Sequence, residues 1–236
     1  MTSERKDDMS CTVEHVLDLA KRQIGYTETG TNHTKYSAYF DDPKGAWQWF
    51  CTKAQGCEWC SIFICWLFCQ NEIMGPKKAR EFLGCPQPDM NFAKVVKYLW
   101  QYMDKKGYKM TGTPKPGDII FFKNSKGISH VGIIEKVDDK NIISIEGNKG
   151  NAVKRVTHGR TVSTIYGFMR PKYEAETTTD SGTKPVTLSL IDQLAYECIQ
   201  GKYGNYPDRK HRINALGYGN IYTQVQKRVN LMLYGR

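Results

Sequence analysis

No stretch of this 236-residue chain is apolar for long enough to cross a bilayer: the longest apolar run, Trp59–Cys69, is eleven residues, against roughly 20 for a helical span. Membrane insertion is therefore not expected. The opening residues MTSERKDDMSC are charged and lack the apolar core of a secretory signal, so the chain is expected to be made and kept in the cytoplasm until something else releases it. Disulfides are not the default in that compartment. Low-complexity tracts are missing, and no block of five like charges occurs.

A second ligand pair is also missing. The eight cysteines stand at 11, 51, 57, 60, 65, 69, 85 and 198. A structural zinc site needs two spaced pairs, and the C-x-x-C of Cys57 and Cys60 is followed by neither a second such pair nor a histidine pair. No strand pattern precedes it in a βαβ unit, which argues against a thioredoxin-type redox motif. No metal or other cofactor is expected, and most of these thiols read as small buried hydrophobes.

What the chain has in excess is positive charge: 34 Lys and Arg against 24 Asp and Glu, a net charge of +10. A polyanionic partner follows, and either nucleic acid or an anionic cell envelope would produce this signature. The surplus is spread along the chain, so a plain solvated surface explains it equally well.

One polar stretch, residues 174–185 (EAETTTDSGTKP), has no large apolar residue and reads as a linker. It divides the chain into residues 1–173 and 186–236. The first part opens with a helix pattern over Val13–Ile24, with Val16, Leu17, Ala20 and Ile24 on one face and Gly25 as the stop. A turn-rich stretch containing Gly30, Asn32, Asp41, Asp42, Pro43 and Gly45 follows. Trp59–Phe68 is apolar all round, as in a helix buried in a core. After Gly117 the pattern turns to strands: DIIFF, HVGIIEKV, NIISIEGN and IYGFMR, separated by turn signals. Helices first and antiparallel strands second make an α+β domain. Residues 186–236 read as three short helices. The first carries Ile191, Leu194, Ala195, Cys198 and Ile199; the second opens at Pro207 and Asp208; the third is capped by Asn220 and carries Ile221, Val225, Val229 and Met232.

Cys60 falls at the start of the buried helix. Unpaired N–H groups and peptide dipoles there stabilise an anion, which favours the thiolate a nucleophile needs and can hold an oxyanion. A buried structural cysteine is the competing explanation. A thiol nucleophile requires an imidazole from elsewhere in the fold. His130, in ISHVGII at a strand start, is the candidate, because His15, His33, His158 and His211 lie in polar or turn-like surroundings. Glu146 in SIEGN can orient that imidazole. If the strand continues to Asn148, the two share a face, and Asn148 supports the oxyanion or the ring. Gly147–Asn148 is equally turn chemistry.

In the order EWCSIFICWLF, KPGDIIFF, ISHVGIIEKV and IISIEGN, with TNHTKY upstream, residues 12–172 resemble the CHAP group of NlpC-type, papain-like amidases and endopeptidases, in versions found in phage lysins. The resemblance implies a papain-like domain of N-terminal helices packed on an antiparallel sheet. It also implies cleavage of peptidoglycan amide bonds, with Cys60 as nucleophile, His130 as base, Glu146 as orienter and Asn148 as a fourth polar residue. Asp118, in the PGD turn, matches a structural position. The chain departs from the group in two respects: FCTKAQGCEWC has no aspartate where some members carry a calcium loop, so calcium is not expected to be required, and Cys51, Cys57, Cys65 and Cys69 lie outside the group's motif, which opens oxidation next to the active thiol.

The tail, from LIDQLAYECIQGKYGNYPDRKHRINALGYGN to VQKRVNLML, resembles a short wall-binding repeat of phage lysozymes and amidases. That likeness implies recognition of glycan strand and stem peptide, with Lys202, Asn205, Arg209 and Tyr218 at the inter-helix turns as candidates. Together the two resemblances imply an endolysin, held in the host cytoplasm until release to the wall. Its partner is peptidoglycan rather than nucleic acid, and self-association through the small bundle would raise its affinity. Whether the cut bond is the sugar–peptide amide or a peptide bond stays open. A non-catalytic basic protein binding wall or nucleic acid is the alternative.

Overall fold

In the computed structural model, residues 11–42, 53–71, 73–85, 93–174, 188–205, 208–218 and 221–234 are described. The chain divides into two compact units, Met1–Glu176 and Thr177–Arg236. Apart from Glu174, the expected linker lies outside the described residues.

Among the described residues, five helices open the first unit. Helix α1 (Val13–Lys21) is capped by the Thr12 hydroxyl, which accepts from the His15 amide, and buries Val16, Leu17, Leu19 and Ala20. Helix α2 (Lys35–Asp41) occupies part of the stretch read above as turns. Thr34 caps it at the Ser37 amide, and Tyr36 and Phe40, a turn apart, anchor it in the core. Two anchors in seven residues are too few to show a period. Helix α3 (Cys60–Cys69) is buried along its length except at Trp66, as its all-round apolarity predicts. Its one hydroxyl, Ser61, donates to the Ala93 carbonyl, which removes the penalty of burying it. Helices α4 (Gly75–Phe82) and α5 (Val96–Lys105) pack beside it.

Six strands follow: β1 (Lys109–Met110), β2 (Ile119–Asn124), β3 (Gly127–Val137), β4 (Asn141–Glu146), β5 (Lys154–Gly159) and β6 (Ile165–Met169). They form one antiparallel sheet in the order β1-β6-β2-β3-β4-β5. The unit is thus α+β, with helices preceding an antiparallel sheet. Both faces of the sheet are covered, which explains why IIFF is apolar without alternation. Ile119, Phe121, Val131, Ile133 and Ile145 join the core shared with the helices. Ile120, Phe122, Ile134 and Ile142 form a smaller core on the other face. The sheet curls strongly, because Phe122 on β2 touches His158 on β5, with ring centroids 4.6 Å apart, although β3 and β4 lie between those strands. Asp118, buried at the start of β2, accepts two hydrogen bonds from Arg170 (2.7 Å each) and one from the Lys115 amide (2.8 Å). It is therefore a structural clamp.

The second unit is a bundle of α6 (Leu188–Ile199), α7 (Asp208–Asn214) and α8 (Tyr222–Tyr234). Its core is Leu194, Ala195, Cys198, Tyr203, Ile213, Ile221, Val225 and Val229. Met232, expected on the same face, is exposed, as are Leu231 and Leu233, because the core ends near Val229. Pro207 and Asn220 lie outside the described residues. No described helix is long and apolar enough to cross a membrane.

Candidate active site

Cys60 is the first residue of α3 and is almost fully buried. The preceding residue, Trp59, occupies the cap position but supplies no side-chain acceptor to the first turn. The N–H groups of that turn therefore keep no side-chain cap, which suits them to receive a negatively charged oxygen. Trp59 is itself held firmly: its indole N–H donates to Glu28 Oε2 (2.8 Å) and its ring stacks on Tyr36 at 5.6 Å. The loop before it is organised by Asp41, whose carboxylate accepts the amides of Ala54 (2.5 Å) and Gln55 (3.0 Å). Nothing in the sequence around Asp41 singles it out for this task.

His130 lies on β3 beside a β-bulge. Phe122 pairs with His130 but Lys123 with Ile128, so Ser129 is the extra residue. Bulges of this kind re-aim a side chain at the end of a ladder. The His130 ring lies beside Cys60, which favours the ring's charged form, and its Nε2 lies 2.9 Å from Glu146 Oε2. Because an ionised carboxylate only accepts, Nε2 carries the proton there and Nδ1 is the nitrogen left for the thiol.

Glu146 ends β4 and has no exposed surface. Its Oε1 accepts from Ser144 Oγ (2.6 Å) and His158 Nε2 (2.6 Å), while Oε2 faces His130 and, more distantly, Lys149 Nζ (3.6 Å). Burial alone would push this carboxyl up. The hydrogen bonds from His130, His158 and Ser144 overturn that and hold it well below the usual carboxylate range. Burial likewise disfavours the charged His130, yet the neighbouring Cys60 and Glu146 raise it from 6.5 to about 9. A histidine with a thiol on one side and a buried anion on the other is equipped to move a proton.

The structure refines two readings made from the sequence, one of them left open between strand and turn. His158 is not in a turn: it lies on β5, its side chain 14% exposed, against the same carboxylate as His130. The strand does not continue through Asn148 either. β4 stops at Glu146, and Asn148 sits in the following turn with a left-handed φ of 57°. Its amide nitrogen donates to Glu58 Oε2 (2.6 Å) and Asn32 Oδ1 (3.4 Å), linking three segments near Cys60 rather than meeting the imidazole.

Close approach of backbone to side chain sets the spacing. A Cβ on Gly147 would lie 2.5 Å from Phe63 Cβ, one turn into α3 from Cys60, and one on Gly132 would lie 2.7 Å from Glu146 Cγ. Gly147→Ala is expected to destabilise the unit by about 1–3 kcal/mol, as overpacking does. It should also slow any chemistry at Cys60 by separating β4 from α3; thermal melts and activity on the same preparation test both.

The other thiols differ. Cys57 donates to the Lys53 carbonyl (3.4 Å) and is partly exposed. Cys11 is pushed up to about 12 by burial and by Glu174. None of the seven described cysteines is in a disulfide. Among the described residues no group of three or more His, Cys, Asp or Glu is placed to hold a metal ion.

In the bundle, Lys202 pairs with Glu197 (2.8 Å) and lies over the Tyr203 ring, and Arg209 donates to the Gly204 carbonyl (2.8 Å). The Asn205 carbonyl accepts from the Arg209 amide (2.9 Å). These three residues gather at the turn between α6 and α7. Tyr218 packs on the bundle core before α8.

Residues 52–148 match the family described as the CHAP domain, and residues 192–233 the CW_7 repeat. No curated protein matches the chain. Among solved structures, an NLP/P60-family protein, similar to a lipoprotein, from Staphylococcus aureus subsp. aureus Mu50 is similar at 16% identity with a TM-score of 0.34. That similarity covers 73% of this chain and 44% of the other. CHAP domains form a family of cysteine-dependent peptidoglycan hydrolases. The segment that matches the CHAP domain thus holds Cys60, His130 and Glu146, and the segment that matches the CW_7 repeat follows it.

Proposed function

We propose that this chain is a cysteine peptidoglycan hydrolase of the endolysin type, an N-acetylmuramoyl-L-alanine amidase or a peptidoglycan endopeptidase. The observation that carries the reading is His130 set beside Cys60 at the start of α3 and hydrogen-bonded to the buried Glu146. Cys60 passes its proton to His130 Nδ1, and the thiolate adds to an amide carbonyl of the wall. The oxyanion is received by N–H groups of the first turn of α3. His130 returns the proton to the leaving amine as the C–N bond breaks, which leaves a thioester on Cys60. Water, deprotonated by the same imidazole, then releases the acid and restores the thiol. Glu146 stays ionised and keeps the ring oriented throughout.

The CW_7 repeat supports peptidoglycan as the polyanion that the net charge of +10 calls for. Lys202, Asn205, Arg209 and Tyr218 are its proposed contacts. Binding there raises the effective concentration of the catalytic unit at the wall without touching the scissile bond.

Digestion of purified walls, with mass spectrometry of the newly freed amines, tests the reading. A free L-alanine N-terminus beside intact glycan identifies an amidase, and a cut stem or bridge an endopeptidase. Iodoacetamide should abolish release, and EDTA should leave it intact. Walls that yield no new amine would point instead to a binding protein.

A further inference from the structure

A fully buried carboxylate must satisfy both of its oxygens from within the protein. On Glu146 the two oxygens are served differently. Oε2 has His130 at 2.9 Å and only a distant Lys149 at 3.6 Å, whereas Oε1 has two close donors, Ser144 and His158, each at 2.6 Å. The terminal torsion of a glutamate is soft, so a carboxylate held at a single point on Oε1 would be free to swing Oε2 away from the imidazole. His158 removes that freedom. Its place in the fold is unusual for a polar ring. β5 is the outermost strand beside β4, and His158, opposite Ile142, turns inward against Phe122. An inward position on such a strand is ordinarily filled by a β-branched or aromatic residue. The same Phe122 ring also lies 5.9 Å from His130, so one aromatic wall backs both imidazoles.

We propose that His158 is a positioning residue of this site: by donating from Nε2 to Oε1 of Glu146, it fixes the carboxylate so that Oε2 stays on His130. The proposal rests on the hydrolase reading for its kinetic consequence but not for its geometry. The ionisable groups facing His130 are Cys60 from α3 and Glu146 from β4, with Lys149 and His158 reaching it through Glu146.

The test uses full-length protein with His158→Phe, which keeps a ring against Phe122 and removes the donor, and His158→Gln, whose amide nitrogen replaces Nε2. The first readout is NMR titration of the His130 ring, assigned by its loss in His130→Gln. In His158→Phe its midpoint is expected to fall below that measured for the wild type, because a wandering carboxylate stabilises the imidazolium less, and His158→Gln should restore most of the shift. The second readout is turnover of soluble muropeptides. kcat should fall on the order of 10- to 100-fold in His158→Phe with KM within about twofold, as a misaligned catalytic group predicts, and the alkaline limb of the pH profile should move to lower pH.

A His130 midpoint that is the same in all three folded proteins would overturn the proposal. So would equal impairment of both variants in proportion to a drop in Tm. If the wild-type protein leaves walls and muropeptides intact, the hydrolase reading fails while the NMR titration still decides whether His158 acts on His130 through Glu146.

Discussion

Cys60→Ala is expected to abolish wall hydrolysis, by about 10⁴-fold or more, since the members of a nucleophile–base set act as a unit. Cys60→Ser should fare little better, because a serine hydroxyl is a far weaker nucleophile in a site built for a thiolate. Neither change should unfold the protein: the side chain is small, and the helix start loses no side-chain cap. Cys57→Ala is the control. That thiol is bonded to the Lys53 carbonyl (3.4 Å), so its removal should leave most of the activity. Muropeptide release measured beside circular dichroism separates the cases. A Cys60→Ala protein that releases muropeptides at the normal rate would refute the nucleophile assignment. Binding of the folded, inactive protein to walls should persist through the repeat.

The second large effect is expected at Glu146. Glu146→Gln preserves shape but replaces an anion that accepts from three side chains with an amide that brings donors of its own. At least one N–H then faces the Nε2–H of His130 or His158. Relief requires the wrong imidazole tautomer or an unsatisfied buried donor, at about 1–3 kcal/mol. By analogy with the amide substitution at the orienting carboxylate of a serine triad, kcat should fall on the order of 10²- to 10⁴-fold.

The pH dependence has a definite sign. The folded Glu146 carboxyl is depressed, so its stabilising effect is complete above its ordinary value of 4.5 and lost as pH falls through the lower folded value. His130 is raised, so its share is complete below 6.5 and lost as pH rises through about 9. The stability gap between wild type and Glu146→Gln should therefore be widest between pH 4.5 and 6.5 and narrow towards pH 9. Chemical denaturation across that range measures it. A gap that widened above pH 7 would contradict the ionised pair.

The features legible in the sequence share one property: their causes are local. A segment apolar on every face but for one serine reads as a buried element, so α3 and the Cys60 at its start could be read directly. Apolar runs rich in Ile and Val between turn signals gave β2, β3, β4 and β6. The glycine-punctuated tail gave three helices. Where few residues are buried, the reading faded. Helix α2 has two anchors, and β5 (KRVTHG) is largely exposed, its two inward residues being Val156 and a polar ring, His158. Asn148 lay between two readings, strand and turn, and the turn prevailed because β4 ends where Gly147 meets Phe63.

The sequence by itself determined the order and type of the main elements and, through three separated motifs, which thiol, imidazole and carboxylate to bring together. Only the tertiary structure decided how that carboxylate is held. Curling of the sheet carries β5 round to Phe122 and delivers a second histidine to Glu146, and the bulge at Ser129 turns His130 towards both Cys60 and Glu146. Asp41 likewise reaches the loop before Cys60 from a different helix. These contacts depend on curvature, register and close approach, quantities summed over many residues, and so leave no mark in the few residues they join.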